Sequence, residues 1–434
     1  MSSYHDSPVV GIDVSADFSV VAILSPKGDI YRKPFRVNHD AESFKYLSEQ
    51  IKKVEKEFSA ISPVFMEATG IYHLSLFYFL LDNNINSFVI NPLVTNYNKN
   101  KNIRKVKNDK TDAISIAKIG KYENVKVSTC LDPNIYMLRN LCREYYNLID
   151  SRSDLKKKLS NDLKITFPGY QNVFSDITGA TSLAILKNYS TPQAILDAPK
   201  EKVIQCIIKC SRKGDLWARK IYNKLVKAAE NAILIGIKSF TFSNKVKMYL
   251  NLLDTYTAEI NTLLSQIKDI LEGKTMSKAF QDSVDLLTTI PGVGFVTAVT
   301  VACEIGDITR FKKSKQLTAF FGIDPSVNQS GKFNSTKNKI SKRGTRIGRR
   351  ALYATALASI RKTRNAKPIN PILLEYYQDN LNGKKKKVAL VAIMHKLLKY
   401  IFSILKNNKP YQLRDPKLHA KMYLENQNSL SSVA

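Results

Sequence analysis

The chain has little cysteine, and its five cysteines are odd in number. The pair in "CIIKC" lacks the second cysteine pair or histidine couple of a zinc site, so we expect reduced thiols. The sequence opens without a basic segment followed by an apolar one, and no run reaches the roughly 18 apolar residues that cross a bilayer. We therefore predict no export signal and no membrane partner, and expect a cytoplasmic, nucleoid-associated protein.

Acidic residues are also scarce. The 434 residues include 37 Asp and Glu against 67 Lys and Arg, a net charge of +30. A positive field of this size attracts phosphate backbones, and it says nothing about the fold. With 44% hydrophobic residues the chain can build two or three domain cores. Nucleic acid is the first partner that the composition predicts.

One long segment contains no acid. Between Asp324 and Glu375 there are twelve cationic side chains, whereas a solvated face normally mixes charges of both signs. We predict phosphate contacts here and in the basic segment before residue 109. The candidate nucleic-acid-binding residues are Lys105, Lys107, Lys332, Lys342, Arg343, Arg346, Arg349 and Arg350.

The N-terminal third predicts an α/β domain. "VVGIDVS", "FSVVAILS" and "IYRKPFRV" are β-branched runs separated by turn signals, which indicates three consecutive strands. An amphipathic helix follows with Asp40 as its N-cap, and then come a strand, a helix, a strand and a helix from near Asp109. This is the order of a ribonuclease-H-like domain, although the order alone is compatible with many α/β folds.

The rest of the chain predicts helices. Heptad-like spacing in 245–273 fits an intermolecular coiled coil as well as it fits helices packed into a core. The predicted fold class is α/β plus α. The predicted domains are an acid-bearing α/β domain at 1–130, a helical or coiled-coil region at 131–278, a mainly α-helical domain with the basic block at 279–410 and a tail at 411–434.

Four acids suggest a metal site. Asp109 and Asp112 are three residues apart, so on a helix they share a face, while Asp13 and Glu67 lie in predicted strands of the same domain. Carboxylates are the ligands that Mg²⁺ prefers, and such a set could hold two metals for phosphoryl transfer. Taken singly, each acid has an ordinary alternative: a helix cap for Asp109, a first-turn acid for Asp112, a turn residue for Asp13 and an exposed strand end for Glu67.

A family resemblance joins these motifs. "GIDVSADFSVVAIL", "FMEATGIYHLSLFYFL", "VINP" and "RKVKNDKTDAISIAK" resemble successive motifs of the DEDD transposases of bacterial insertion sequences. The N-terminal domain of that family is similar to RuvC-type junction resolvases. The resemblance places the family's four metal-binding acids on Asp13, Glu67, Asp109 and Asp112.

A second segment, "LTAFFGIDPSVNQSGKFNSTKNKISKRGTRIGRRALYATAL", resembles the family's C-terminal transposase domain. The family's nucleophilic serine falls on Ser330, with Ser326 as the second candidate. Thr345 stands where relatives usually carry asparagine. Without the resemblance, Ser330 before Gly331 would be an ordinary turn hydroxyl. No histidine adjoins it, so a hydrolase-type triad is not expected.

The resemblance implies a Mg²⁺-dependent transposase that forms a covalent phosphoserine link to DNA. It also implies double-stranded donor and target DNA, a structured element-encoded guide (bridge) RNA and a homodimer or homotetramer with a composite site. Two other classes stay open: a RuvC-like metal-dependent nuclease or junction resolvase that uses water, and a non-catalytic DNA-binding protein.

The segment "IPGVGFVTA" resembles the turn of helix-hairpin-helix modules, whose backbone N–H groups can meet a phosphate. The same segment is also compatible with a tight helix–helix turn that binds no ligand.

Overall fold

The computed structural model describes residues 4–68, 70–90, 92, 94–95, 108–123, 132–211, 213–237, 240–326, 329–330, 333–334 and 339–413. Of residues 240–242, 329–330 and 333–334 it describes the backbone alone. The chain divides into two compact units, Met1–Leu131 and Asp132–Ala434. Each is described by itself, and the finer predicted division into domains stays a prediction.

Unit 1 is built on a five-stranded mixed sheet. The strands are β1 (Val9–Val14), β2 (Phe18–Leu24), β3 (Ile30–Asn38), β4 (Val64–Glu67) and β5 (Ser87–Ile90), in the spatial order β3-β2-β1-β4-β5. β1 pairs antiparallel with β2 and parallel with β4, and β4 pairs parallel with β5. The predicted order of strands and helices is confirmed for these elements.

The faces of this sheet are covered by helices that include α1 (Ala41–Phe58), α2 (His73–Asp82) and α3 (Asp109–Tyr122). Asp40 caps α1, as predicted, because its carboxylate accepts from the Ser43 N–H at 2.7 Å. α1 and α2 share a core with Val10, Ile12 and Val14 of β1. α3 packs on the opposite face, where its buried residues meet Val9, Leu24, Phe65 and Ile90.

Unit 2 is mainly helical. Its first part has α4 (Pro133–Thr166), α5 (Ala180–Asn188), α6 (Pro192–Leu196), α7 (Lys200–Ser211), α8 (Asp215–Ile235) and α9 (Phe240–Glu272). Its second part has α10 (Lys278–Thr288), α11 (Phe295–Ile305), α12 (Ser314–Phe320), the short strands β6 (Gln329–Ser330) and β7 (Phe333–Asn334), α13 (Arg346–Ser359), α14 (Pro371–Asp379) and α15 (Lys386–Asn407). The two strands form a separate antiparallel pair.

The two long helices α4 and α9 pack on each other within the chain and connect two hydrophobic cores. Each has 33 or 34 residues, about 50 Å at 1.5 Å per residue. One end of the pair lies in a core with α5 to α8, and the other end lies in a core with α10 to α15. Leu253, Ile260, Ile267 and Leu271 of the heptad-like pattern are buried. Intramolecular packing therefore accounts for the spacing that also fitted a coiled coil.

A buried carboxylate connects α4 to α11. Glu304 is 3% exposed and accepts from Arg143 at 3.0 Å and from Arg139 at 2.9 Å. A buried charge is tolerated when it is paired and hydrogen-bonded, and here two guanidinium groups do this. The pairing holds the N-terminal part of α4 against α11.

Helix α15 is long and apolar enough to cross a membrane, the one such helix in the part of the chain that is described. The sequence analysis expected none. Eight of its residues are buried in the core of unit 2, and a core helix passes the same test of length and composition. We read α15 as a core helix.

Candidate active site and nucleic-acid surface

Asp13 and Glu67 lie at the carboxyl ends of two neighbouring parallel strands, Asp13 as the residue before the last of β1 and Glu67 as the last of β4. Ile12 of β1 pairs with Met66 of β4, and the acids are the next residue on each strand. Both side chains are half-buried. Parallel strands bring their carboxyl ends to one edge of a sheet, so the two acids stand side by side there.

Both acids belong to the sheet face that α3 covers. Side chains alternate along a strand, and Ile12 and Met66 face the core formed with α1 and α2. Their neighbours Asp13 and Glu67 therefore face the other way. Phe65, two residues before Glu67, packs with α3 in agreement with this direction.

Helix α3 approaches β1 very closely. A Cβ atom on Gly11 would lie 2.3 Å from the carbonyl oxygen of Ala113 and 2.3 Å from the amide nitrogen of Ala117. A Cβ on Gly120 would lie 2.2 Å from the Phe65 ring. The contact requires glycine at both positions. The sequence analysis did not use these glycines, although a glycine inside a strand signals close backbone approach.

The direction of α3 brings its first turn to the acid-bearing edge. Ala113 packs on Val20, which pairs with Asp13. At the other end of the helix, the buried Lys121 ammonium donates to the carbonyls of His5 (2.6 Å) and Ser7 (2.8 Å), just before β1. The helix thus runs opposite to β1, and its N-terminal residues Asp109 and Asp112 lie at the edge where Asp13 and Glu67 end.

The two helix acids differ in their exposure, and neither is the N-cap of α3. Asn108 is the N-cap, because its side chain accepts from the Lys110 N–H at 3.1 Å. The capping alternative for Asp109 is therefore wrong. Asp112 lies in the first turn, as its ordinary alternative requires, and is half-buried, whereas Asp109 is exposed.

The donor set fits a hard divalent cation by its chemistry, since all four candidate residues are carboxylates and their elements place them toward the same end of one sheet face. Among the residues that the structure describes, no three His, Cys, Asp or Glu side chains are grouped closely enough to bind a metal ion. The strands and the helix carry the acids to the same end of the sheet, but the side chains are not close enough together to form a complete set of metal ligands.

Ser330 is the last residue of β6 and pairs with Phe333 of β7. Its side chain lies outside the described residues. The chain on either side is also paired: Pro325 bridges to Ile340, and the Ser341 N–H donates to the Asp324 carbonyl at 2.8 Å. Ser330 therefore lies in the chain between α12 and α13, in the second of two described antiparallel pairings.

Ser326 has a structural hydrogen bond. Its hydroxyl donates to the Lys339 carbonyl at 2.8 Å, and its N–H donates to the same oxygen at 2.7 Å. These bonds join the chain before β6 to the chain after β7 and give the Ser326 hydroxyl a structural role.

The predicted basic residues fall into three groups. Lys342, Arg343 and Arg346 are exposed at the start of α13, where they can reach a phosphate. Arg349 and Arg350 are half-buried with internal partners. Lys105, Lys107 and Lys332 lie outside the described residues.

Arg349 and Arg350 both bind backbone carbonyls. Arg349 donates to Gly344 at 2.7 Å and to Phe321 at 3.2 Å, and burial lowers the pKa of its guanidinium. Arg350 donates to the Tyr146 carbonyl at 2.9 Å, stacks on the Tyr146 ring and pairs with Asp150. Sequence letters alone could not separate these structural arginines from Arg346.

Thr345 is the N-cap of α13, because its hydroxyl accepts from the Gly348 N–H at 3.1 Å. Asparagine is an equally good N-cap. Thr345 therefore preserves the N-cap of this helix in place of the asparagine that relatives usually carry.

The predicted helix–helix turn is present between α10 and α11. Gly292 has φ +100°, and a Cβ there would lie 2.4 Å from the Ser359 hydroxyl oxygen. That hydroxyl donates to the Pro291 carbonyl at 3.2 Å. The glycine is thus explained by packing on the end of α13, and a phosphate ligand stays a prediction.

Two family models match this chain. One, a transposase model of the IS110 DEDD type, covers residues 10–168, and one described as "Transposase IS116/IS110/IS902 family" covers residues 284–378. Together they span more than half of the chain. The class that the fold and the acids indicate is thus a DEDD transposase, and the chain belongs to the IS110-type family of insertion-sequence transposases.

Curated relatives agree with this family. The chain is 27% identical to the transposase for insertion sequence element IS1111A of Coxiella burnetii over 45% of this chain and 50% of the relative. It is 24% identical to an uncharacterized protein of insertion element IS110 from Streptomyces coelicolor over 54% and 53%. The match thus spans about half the length of these two relatives. A pilin gene-inverting protein of Moraxella bovis is 24% identical over 80% of this chain and 81% of its own length.

Proposed function

We propose that this protein is a DNA recombinase that moves its own insertion sequence. The observation that carries the proposal is the placement of Asp13, Glu67 and the first turn of α3 at the same end of one sheet face in unit 1. Membership of a transposase family supports it, and so does the name of the Moraxella relative, since gene inversion is a recombination reaction.

The proposed fold family of unit 1 is the RNase H-like (RuvC-like) one. The strand order β3-β2-β1-β4-β5, with the first three strands antiparallel and the last two parallel to β1, supports it. In this arrangement Asp13 lies on the central strand β1 and faces α3, which carries Asp109 and Asp112.

The proposed nucleophile is the Ser330 hydroxyl. It attacks a DNA phosphorus, a bond from Oγ to phosphorus forms, and the bond from phosphorus to one deoxyribose oxygen breaks. The proton lost by the serine is matched by one gained on the leaving deoxyribose oxygen. A hydroxyl of a second strand then reverses the step and frees Ser330. The link conserves the phosphoester bond, so no nucleotide hydrolysis is required.

Asp13, Glu67, Asp109 and Asp112 would hold Mg²⁺, which supplies charge neutralisation at the reacting phosphate and favours ionisation of the attacking hydroxyl. The protein's own contribution is to orient these carboxylates. Gly11 and Gly120 allow α3 to lie directly on the sheet, and Lys121 holds the far end of the helix. Ser330 would meet the acids within one chain or across a dimer or tetramer.

The proposed partners are double-stranded donor and target DNA and a structured guide RNA encoded by the element. Lys342, Arg343 and Arg346 are exposed and suited to phosphate contacts. The proposed location is the cytoplasm, in association with the nucleoid.

The test is incubation of the full chain with donor DNA, target DNA, flanking RNA and Mg²⁺, followed by a denaturing gel for a protein–DNA adduct. We expect the adduct with the unmodified protein and with Ser326→Ala, and its loss in Ser330→Ala and Asp109→Ala. Retention of the adduct in Ser330→Ala would overturn the assignment of the nucleophile.

The alternative is a RuvC-like nuclease or junction resolvase in which water attacks the phosphate. Free nicked DNA without an adduct, still formed by Ser330→Ala, would establish this alternative. DNA binding that is independent of Mg²⁺, with neither product, would instead indicate a non-catalytic protein.

A further inference from the structure

Unit 2 contains a surface cleft of about 820 Å³ along α15. One wall is a stripe of α15 that includes Lys396, Tyr400 and Asn407. The other wall is the chain after the helix, which turns back at Asn408 (φ 49°). The volume lies within the roughly 300–1,000 Å³ typical of ligand pockets.

The second wall is held in place by a tertiary hydrogen bond. The Tyr411 N–H donates to the Thr289 hydroxyl at the end of α10 at 2.9 Å. The Tyr411 ring lies 5.4 Å from the Tyr400 ring, with the planes tilted by 57°. Burial raises the pKa of Tyr400 to about 12 and also raises the pKa of Tyr411, so both phenols are neutral at physiological pH.

The charged residues of the cleft are all cationic. Lys396 and Lys409 line it, and none of its described lining residues is acidic. The Lys396 ammonium lies 4.1 Å from the centre of the Tyr376 ring. Burial and the neighbouring Lys399 lower the pKa of Lys396. An anionic ligand is the kind that would stabilise the Lys396 ammonium most in this setting.

Amides complete the set of groups. The lining residues Asn407 and Gln412 carry both donors and acceptors, and the Asn407 amide donates to the Ser403 hydroxyl at 3.3 Å. Aromatic rings, cations and amides are the three kinds of group that bind an unpaired nucleotide: stacking for the base, charge for the phosphate and hydrogen bonds for the base edge.

We propose that this cleft binds an unpaired nucleotide of a single-stranded nucleic acid, with its base against Tyr400 and Tyr411 and its phosphate at Lys396 and Lys409. The cleft is open along the exposed residues Ser403, Asn407 and Lys409, so a strand can enter it sideways. The inference deepens the proposed function, because strand exchange exposes single strands. Either RNA or DNA could supply such an unpaired nucleotide.

The test uses the full chain with short oligothymidylate and oligouridylate, each carrying one 5-iodouracil. Near-ultraviolet irradiation followed by mass spectrometry of the peptides locates the base. We expect cross-links at Tyr400 or Tyr411. The polymer that cross-links and binds more tightly identifies the source, RNA or DNA.

Affinity measurements use Tyr400→Leu and Lys396→Gln, with Lys399→Gln as the matched control on the exposed side of the same helix. A stacked base is worth about 1–3 kcal/mol, so Tyr400→Leu should weaken single-strand binding by about fivefold or more. Duplex affinity should stay within about twofold for all three variants, because the duplex is assigned to Lys342, Arg343 and Arg346. Circular dichroism melting checks that each variant is folded.

Cross-links elsewhere, or equal loss of single-strand and duplex affinity in folded Lys396→Gln, would overturn the proposal. So would a Lys399→Gln effect equal to that of Lys396→Gln. These outcomes leave the serine adduct intact. Conversely, absence of an adduct together with cross-links in the cleft would reject the recombinase and retain the nucleotide site.

Discussion

Asp13 and Glu67 stand side by side, one residue beyond the paired Ile12 and Met66 at the carboxyl ends of two parallel strands. Both face α3, whose first turn carries Asp109 and Asp112. Carboxylates from three elements thus reach one edge of the sheet, which is what a metal-dependent phosphoryl-transfer site requires.

Replacement of Asp13 by asparagine should remove metal binding and leave the fold intact. The substitution keeps the shape of the side chain and removes one anionic ligand. Even outer partners of metal sites are worth about 10- to 100-fold in affinity, so at least this loss is expected. The measurement is the Mg²⁺-dependent rise in melting temperature, with Asp17→Asn in the neighbouring exposed turn as the control. An unchanged rise would remove Asp13 from the site.

Replacement of Gly11 by alanine should push α3 away from the sheet. The added Cβ would lie 2.3 Å from backbone atoms of Ala113 and Ala117, which cannot move without the helix. Overpacking of this kind costs about 1–3 kcal/mol, and both stability and strand cleavage should fall. Chemical denaturation measures the loss. Gly214→Ala is the control, because no atom lies within 4 Å of its added Cβ; equal effects of the two changes would contradict the packing argument.

Replacement of Lys121 by methionine should destabilise unit 1. The change leaves the carbonyls of His5 and Ser7 without their donor, and each unsatisfied buried group costs about 1–3 kcal/mol. Lys118→Met, at an exposed position of the same helix, is the control. A loss no larger than that of the control would show that the ammonium is dispensable.

The loss in free energy of unfolding caused by Lys121→Met should be larger at alkaline pH than at neutral pH. Burial lowers the pKa of Lys121, while in the unfolded chain the group titrates near its ordinary value of about 10.4. Between these two values the unfolded state binds more protons than the folded state, so Lys121 adds stability as pH rises. Denaturation of both proteins at neutral pH and near pH 10 tests the sign. A smaller difference at the higher pH would contradict it.

Substitution of Arg346 should affect DNA binding, whereas substitution of Arg349 on the same helix should affect stability. Arg346→Gln should weaken duplex binding at all sequences and reduce the slope of log affinity against log salt by about 1, with little effect on stability. Arg349→Gln should instead lower the free energy of unfolding by about 1–3 kcal/mol, because two carbonyls lose their donor. Salt titrations and denaturation of both variants measure the contrast, and identical behaviour would contradict it.

Local sequence patterns were sufficient for the order of the described strands and helices in unit 1. β-branched runs, the Asp40 cap and the spacing of apolar residues in α1 depend on neighbours along the chain, and the order of elements in unit 1 follows from them. The four acids and the serine were predicted as site residues from the family resemblance of successive motifs. Their roles stay predictions, since local chemistry does not show which side chains meet.

Tertiary structure decided the relations between elements. The register of β1 and β4 brings Asp13 beside Glu67, and the glycine contacts bring α3 onto the same face. Packing separates Arg349, bound to two carbonyls, from the exposed Arg346, and it shapes the cleft beside α15. These features depend on groups far apart in the chain, whose contacts are set by core packing and long-range hydrogen bonds, so periodicity and composition could not reveal them.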